Sequence, residues 1–208
     1  MKKICKKTLS LFVTLALLAT CIIGLGINSN AASLRFAENE TELREAIETS
    51  TYMDTIKITQ DIILDGGLDL HQSVMLDLGG HEVRFTNSAD GLKVDVGSSG
   101  NVCVTNGTIV GAKSSNAAIT VVTGYFSAID MRVIGGDCTF VQSKAYGNAL
   151  YCSAKNTTMI FSGVDFYAGH GYRVNNERTG KAIYLKSKGC KIYCLNKGYT
   201  TTDAIPQN

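Results

Sequence analysis

The segment Val74–Phe85 limits the possible folds of this chain more than any other. Apolar and polar side chains alternate in it on both sides of the dipeptide Gly79-Gly80. Its apolar positions are Val74, Leu76, Leu78, Val83 and Phe85. Alternation with a period of two predicts half-buried β-strands rather than a helix. Glycine adopts backbone angles that other residues avoid, so the pair predicts a sharp bend between two short strands.

Short apolar runs of the same kind recur from residue 54 to residue 195, and polar corners separate them. Gly79 and Gly107 are 28 residues apart, and Gly111 and Gly135 are 24 apart. Internal periods of about 20–50 residues indicate repeat architectures. Strands at this spacing, with no helices between them, predict an all-β solenoid: a parallel β-helix with three strands per coil. A β-sandwich is the alternative, because Asn106-Gly107 is a typical hairpin turn.

One amphipathic helix is predicted in the segment 33–53, before the strands. Asn39 can cap it, and Glu42 completes a capping box three residues later. Its apolar stripe consists of Leu43, Ala46 and Ile47. Such a helix is expected to cap the apolar interior of the first coil. The polar residues 196–208 are expected to form a tail that either folds over the last coil or meets another chain.

Residues 1–32 are predicted to be a secretory signal peptide, because lysines precede an apolar run and small residues follow it. An uncleaved membrane anchor and a lipoprotein attached through Cys21 are the alternatives. Cleavage would remove four lysines and leave 16 basic against 18 acidic residues, a net charge of about −2. A secreted mature chain without a basic cluster argues against nucleic acid as a partner.

Five cysteines follow the signal segment: Cys103, Cys138, Cys152, Cys190 and Cys194. An odd number cannot pair completely within one chain. Their spacing does not match a zinc site, so we interpret them mainly as small apolar strand residues. One disulfide among Cys152, Cys190 and Cys194 is compatible with an exported protein.

Three of these features together resemble a known family. The helix with Leu43-x-x-Ala46-Ile47, the strand Thr55–Thr59 and the turn Leu76–His81 are similar to the start of pectate-lyase-like right-handed β-helix proteins. In particular, residues 36 to about 195 resemble the pectate-lyase-like adhesive domains exported by Gram-positive bacteria. The resemblance implies a right-handed parallel β-helix and export. It does not by itself imply an activity, because function resides in sites placed on a fold.

The resemblance to pectate lyases also implies a calcium site and a catalytic arginine motif. The chain has no tryptophan, and its single proline is Pro206, so the arginine motif with its internal proline is absent. Four aspartates of the first coils are candidates for calcium, although such residues more often occupy solvated corners. They are Asp61, Asp65, Asp69 and Asp77.

The segment Gly169–Gly171 resembles the Gly-His-Gly turn of polygalacturonase-type glycoside hydrolases. Those enzymes use two or more carboxyl groups across the scissile sugar bond. In that interpretation, Asp165, His170 and Arg173 are the catalytic residues of a polysaccharide-cleaving enzyme. The adjacent Asp-Asp pair of that family is missing, so our preferred interpretation has no catalytic residue.

We therefore expect a secreted, non-catalytic module for adhesion or glycan binding at the bacterial cell surface. Its expected partner is a polysaccharide or a host surface glycan, with no cofactor, no metal and no membrane contact after signal cleavage. A polysaccharide-cleaving enzyme and a structural fragment of a larger surface protein are the alternatives. Tyrosine is favoured in binding faces, and tyrosines cluster late in the chain at Tyr146, Tyr151, Tyr167, Tyr172, Tyr184, Tyr193 and Tyr199.

Overall fold

The described part of the chain consists of parallel strands and one short helix. The computed structural model describes residues 32–87, 90–112, 117–136, 147–169 and 180–203. The helix, α1, spans Glu40–Glu48. The strands are β1 Leu34–Ala37, β2 Asp54–Ile58, β3 Ile62–Leu64, β4 Leu68–Leu70, β5 Val74–Asp77, β6 Glu82–Phe85, β7 Asp90–Asp95, β8 Asn101–Val110, β9 Ala117–Thr123, β10 Tyr125–Ile134, β11 Asn148–Cys152, β12 Thr158–Tyr167, β13 Ile183–Leu185, β14 Lys191–Cys194 and β15 Tyr199–Thr202.

The strands form two sheets, and within each sheet every described strand pairing is parallel. One sheet has ten strands and contains the path β1-β2-β5-β8-β10-β12-β14, and the other has the order β13-β11-β9-β7-β4. The prediction of a β-rich chain with parallel strands is confirmed. The β-sandwich alternative is wrong, because Asn106 and Gly107 lie inside one continuous strand and not in a hairpin turn.

The pairings arrange the strands in three columns, which the chain visits in a constant order from β2 onward. The first column contains β1, β2, β5, the first halves of β8, β10 and β12, and β14. The second contains β3, β6, the second halves of β8, β10 and β12, and β15. The third contains β4, β7, β9, β11 and β13.

A line of left-handed residues marks the change from the first column to the second. Asn106, Asp130 and Gly163 have φ angles of 58°, 48° and 64°, and the strand register places them side by side in β8, β10 and β12. Gly79 and Gly80 occupy the same place between β5 and β6, with φ of 61° and 87°. The bend predicted at the glycine pair is confirmed. In β8, β10 and β12 the corresponding bend falls inside a single ten-residue strand.

The core is formed by the alternating apolar residues of all three columns. All five apolar positions of the segment Val74–Phe85 are buried, as the alternation predicts. Late in the chain the core is aromatic. The ring of Phe161 lies with its centroid 6.4 Å from Phe126, 5.0 Å from Phe166 and 5.6 Å from Tyr199. These edge-to-face contacts join β10, β12 and β15 through the interior.

Helix α1 packs on the first strands. The side chain of Asn39 caps it by accepting a hydrogen bond from the backbone N–H of Glu42 at 3.0 Å, and the predicted stripe of Leu43, Ala46 and Ile47 is buried. The helix contacts β1, β2 and β3. Gln72 donates to the carbonyl oxygen of Ile47 at 2.6 Å and so satisfies a backbone acceptor at the end of the helix.

Asp54, at the start of β2, holds the segment around β1 in place. Its side chain is 0% exposed. It accepts hydrogen bonds from the backbone N–H groups of Ser33 at 2.8 Å and Thr51 at 2.9 Å, and from Arg35 Nε at 3.3 Å. The backbone N–H groups of Ser33 and Thr51 hold the pKa of Asp54 well below its usual range, although burial opposes this. No pattern in the sequence indicated this buried carboxylate.

The tail predicted after residue 195 contains a further strand. Tyr199–Thr202 pairs with the second half of β12, beside Val164–Tyr167. Every residue of this strand is exposed, and β13 and β14 are also edge strands of their sheets. Among the described residues, the last strands therefore form exposed edges of both sheets.

Candidate binding face

Asp165 is the one residue of the predicted catalytic set that falls within the described chain. His170 and Arg173 lie outside the described residues. Asp165 lies in β12, on the side of the strand opposite the buried residues Val164 and Phe166. It therefore faces outward from the second column.

Asp165 belongs to a row of polar side chains that crosses five neighbouring strands. The strand register places Glu82 beside Thr108, Thr108 beside Arg132, Arg132 beside Asp165, and Asp165 beside Thr200. Arg132 and Thr200 are exposed, and the other three are half-buried. We call these five residues the polar row. Since neighbouring strands are about 4.8 Å apart, the row extends over about 19 Å.

The charges of the polar row are balanced by close partners. Glu82 Oε1 accepts from Arg84 Nε at 2.8 Å, and Arg84 Nη2 lies 2.7 Å from the same oxygen. Thr200 donates its hydroxyl proton to Asp165 Oδ1. Arg132 Cζ lies 5.3 Å from the ring centroid of Tyr167, a cation–π geometry. The row thus presents acceptors and donors in turn without a strong net charge.

A second row, parallel to the polar row, is apolar at its centre. Its members are Arg84, Val110, Ile134, Tyr167 and Thr202. Ile134 and Tyr167 are half-buried, so each keeps part of its surface open to solvent. An aromatic ring and an aliphatic side chain therefore border the polar groups.

The carboxylates near this face already have partners. Lys197 Nζ donates to Asp130 Oδ1 at 2.7 Å, and Asp165 accepts from Thr200. An inverting glycosidase requires two carboxyl groups that face each other across a gap for the sugar and a water molecule. The described carboxylates show ion pairing and hydrogen bonding.

The four calcium candidates are held by separate contacts. Asp61 accepts from the backbone N–H of Glu82 at 2.9 Å and lies 3.4 Å from His81 Nδ1. That backbone hydrogen bond, with a smaller contribution from His81, lowers the pKa of Asp61. The others have different partners: Asn87 for Asp65, Lys93 for Asp69 and Asn106 for Asp77. Within the described ranges, no group of three His, Cys, Asp or Glu residues is placed to hold a metal ion.

The tyrosines are distributed over all three columns. Tyr151 and Tyr184 are neighbours on the third column, with ring centroids 5.6 Å apart. Tyr193, which is 52% exposed, lies on the first column, and Tyr199, which is 37% exposed, lies on the second column with its ring against Phe161. Tyr167, a member of the second row, borders the polar row. Tyr146 and Tyr172 lie outside the described residues.

Sequence reasoning missed Arg132 and Thr200 as parts of this face. They are 68 residues apart in the chain and come together only through the register of β10, β12 and β15. No local motif marks them. Aligning the repeats at Asn106, Asp130 and Gly163 would have placed Thr108, Arg132 and Asp165 at equivalent positions.

No protein-family model matches the sequence, and no curated protein and no solved structure matches it. In the part of the chain that the structure describes, no helix has the length and apolar character required to cross a membrane.

Proposed function

We propose that this chain is a secreted, non-catalytic module that binds polysaccharide at the bacterial cell surface, and that it folds as a right-handed parallel β-helix. The three strand columns, visited in a constant order, support the winding. The line of left-handed residues supports a corner at the same place in successive coils. Crossovers between parallel strands are nearly always right-handed, and this rule favours the proposed hand.

The observation that carries the binding proposal is the polar row. Sugar hydroxyls both donate and accept hydrogen bonds, and the row offers both kinds of partner. Glu82 and Asp165 accept, Arg132 donates, and the hydroxyls of Thr108 and Thr200 do either. Side chains that repeat from strand to strand suit an extended polymer better than a small molecule, because the row extends over about 19 Å.

The charge balance of the face indicates the class of polysaccharide. The two rows carry two carboxylates and two guanidinium groups, and these charges balance: Glu82 pairs with Arg84, and Asp165 lies beside Arg132. A polyanion such as polygalacturonate would bring its carboxylates close to Glu82 and Asp165, which costs binding energy. We therefore infer a neutral polysaccharide as the ligand.

Tyr167 supplies the apolar part of the interaction. Its ring borders the polar row and is held by Arg132 above it. An aromatic ring can stack on the C–H face of a sugar, while its hydroxyl stays in water. Because Arg132 already fixes the ring, little side-chain freedom is lost on binding.

The proposal is tested by electrophoresis of the full chain in native gels that contain neutral or acidic polysaccharides. We expect retardation by at least one neutral polysaccharide. Tyr167→Ala should weaken the binding about tenfold, which corresponds to the loss of one stacking contact. Tyr193→Ala is the matched control, since it removes an exposed tyrosine from the first column and should bind normally.

Two results would count against the proposal. One is migration that no polysaccharide in the panel alters. The other is an equal loss of binding in Tyr167→Ala and Tyr193→Ala, because that would place the ligand on a different face. Circular dichroism of both variants checks that each keeps the wild-type content of strands.

A further inference from the structure

Two cysteines that are distant in the sequence meet beside the core. The sulfur atoms of Cys152 and Cys190 are 3.5 Å apart, although the residues are separated by 38 positions. Cys152 is the last residue of β11 and lies beside Leu185 of β13. Cys190 directly precedes β14. Sequence spacing alone left the pairing among Cys152, Cys190 and Cys194 open, whereas the structure brings two of them into contact.

The two thiols have different environments. Cys152 is 0% exposed, and burial, followed by the adjacent Cys190 thiol, raises the pKa of Cys152 to about 12. Cys190 is half-buried, and its thiol donates a hydrogen bond to the carbonyl oxygen of Ala154 at 3.1 Å. Cys194 is exposed and lies beside Phe161 in the register of β12 and β14. A reagent in solution therefore reaches Cys190 more easily than Cys152.

We propose that Cys152 and Cys190 form a disulfide when the chain meets a disulfide oxidant, either a small molecule such as oxidised glutathione or a thiol oxidoreductase. The thiolate of Cys190 attacks the disulfide of the oxidant, and one oxidant sulfur leaves as a thiolate. Cys152 then loses its proton and attacks the sulfur of Cys190, and the second oxidant sulfur leaves. Two protein S–H bonds become one S–S bond, and the oxidant gains two electrons and two protons.

The geometry requires a small movement. The sulfur atoms must approach from 3.5 Å to about 2.05 Å. The turn that carries Cys190 lies at the open end of the strands, before an edge strand with mostly exposed residues. This side of the contact can therefore move without displacing the core around Cys152.

The disulfide would tie the open end of the fold to its interior. The closed loop runs from β11 through β12 and β13 to Cys190, and it joins the exposed edge strand β14 to the buried strand β11. A cross-link over a loop of this length stabilises chiefly by restricting the unfolded chain. We expect oxidation to raise the melting temperature by about 8–15 °C.

Peptide mapping identifies the pair directly. The full chain is incubated with oxidised glutathione, its free thiols are alkylated at acidic pH, and it is digested with trypsin. Cleavage after lysine and arginine places Cys152 in the peptide 145–155, Cys190 in 189–191 and Cys194 in 192–197. We expect the peptides 145–155 and 189–191 to be linked. A link from 145–155 to 192–197, or the absence of any link between peptides, would overturn the proposal.

Thermal melts with and without the oxidant give a second test. Cys190→Ser removes the more accessible partner and leaves the buried Cys152 in place, so the variant should fold and lose the oxidant-dependent rise. Cys194→Ser is the matched control and should keep the rise. If both variants keep it, or if the wild type shows none, the disulfide does not form between Cys152 and Cys190.

Discussion

The bend at Gly79-Gly80 leads to a prediction that separates two physical effects at adjacent positions. Gly79 and Gly80 both have left-handed backbone angles, with φ of 61° and 87°. An added Cβ at Gly79 would overlap the carbonyl oxygen of Ile58, whereas at Gly80 it would meet nothing within 4 Å. Alanine at either position therefore strains the backbone, but only at Gly79 does it also disturb the neighbouring strand.

The expected magnitudes follow from these two terms. A left-handed alanine costs about 1–2 kcal/mol, and the reduced freedom of the unfolded chain offsets about 0.4–1 kcal/mol of this. Gly80→Ala should thus lower the free energy of unfolding by about 0–1.6 kcal/mol. Gly79→Ala adds overpacking of about 1–3 kcal/mol, for a total of about 1–4.6 kcal/mol.

Urea denaturation followed by far-ultraviolet circular dichroism measures both free energies. The slope of the transition should be the same for the wild type and the two variants, so that the shift in midpoint reports stability alone. Equal destabilisation by the two substitutions would refute the reasoning, since it would mean that the Ile58 carbonyl does not limit the space at Gly79.

Two further stability predictions come from the buried side chains. Asp54→Asn should lower the free energy of unfolding at pH 7 by about 2–3 kcal/mol, because the amide places a donor against N–H groups that need an acceptor. The folded pKa of Asp54 is lowered, so its stabilisation is present above about pH 4, the unfolded value, and is lost as the pH falls further. The difference in urea midpoint between the wild type and Asp54→Asn should therefore be smaller at pH 3 than at pH 7. An equal difference at the two pH values would contradict this assignment. Phe161→Ala should lower the free energy of unfolding by about 3–5 kcal/mol, because it leaves a cavity among three rings. Phe161→Leu should lower it by less than about 1.5 kcal/mol. Equal melting temperatures for the two variants would contradict the aromatic core.

The strands and the helix could be predicted because their signals are local. Alternation marks β5 and β6, where Val74, Leu76, Val83 and Phe85 are buried. A capping residue and a narrow apolar stripe mark α1. The strand Tyr199–Thr202 has neither signal: it consists of one tyrosine and three threonines, all exposed. Its pairing with β12 is a backbone interaction, which side-chain patterns do not predict.

The candidate face could not be predicted because it depends on register. The bends are left-handed at Asn106, Asp130 and Gly163, three residue types that no simple pattern groups together. Without those bends as reference points, Arg132 could not be placed beside Asp165. The meeting of Cys152 and Cys190 depends in the same way on how the later strands align. The strands could thus be predicted from the sequence, but not which residues lie side by side on neighbouring strands.

The most direct test of the central claim, binding without catalysis, is a product assay on the full chain. The protein is incubated with each polysaccharide that retards it in the native gel, with and without calcium, and new reducing ends and unsaturated products are measured. We expect retention with no product above the level of a heat-denatured sample. Product formation by the wild type that Asp165→Asn abolishes would contradict it and would assign the face to a polysaccharide-cleaving enzyme.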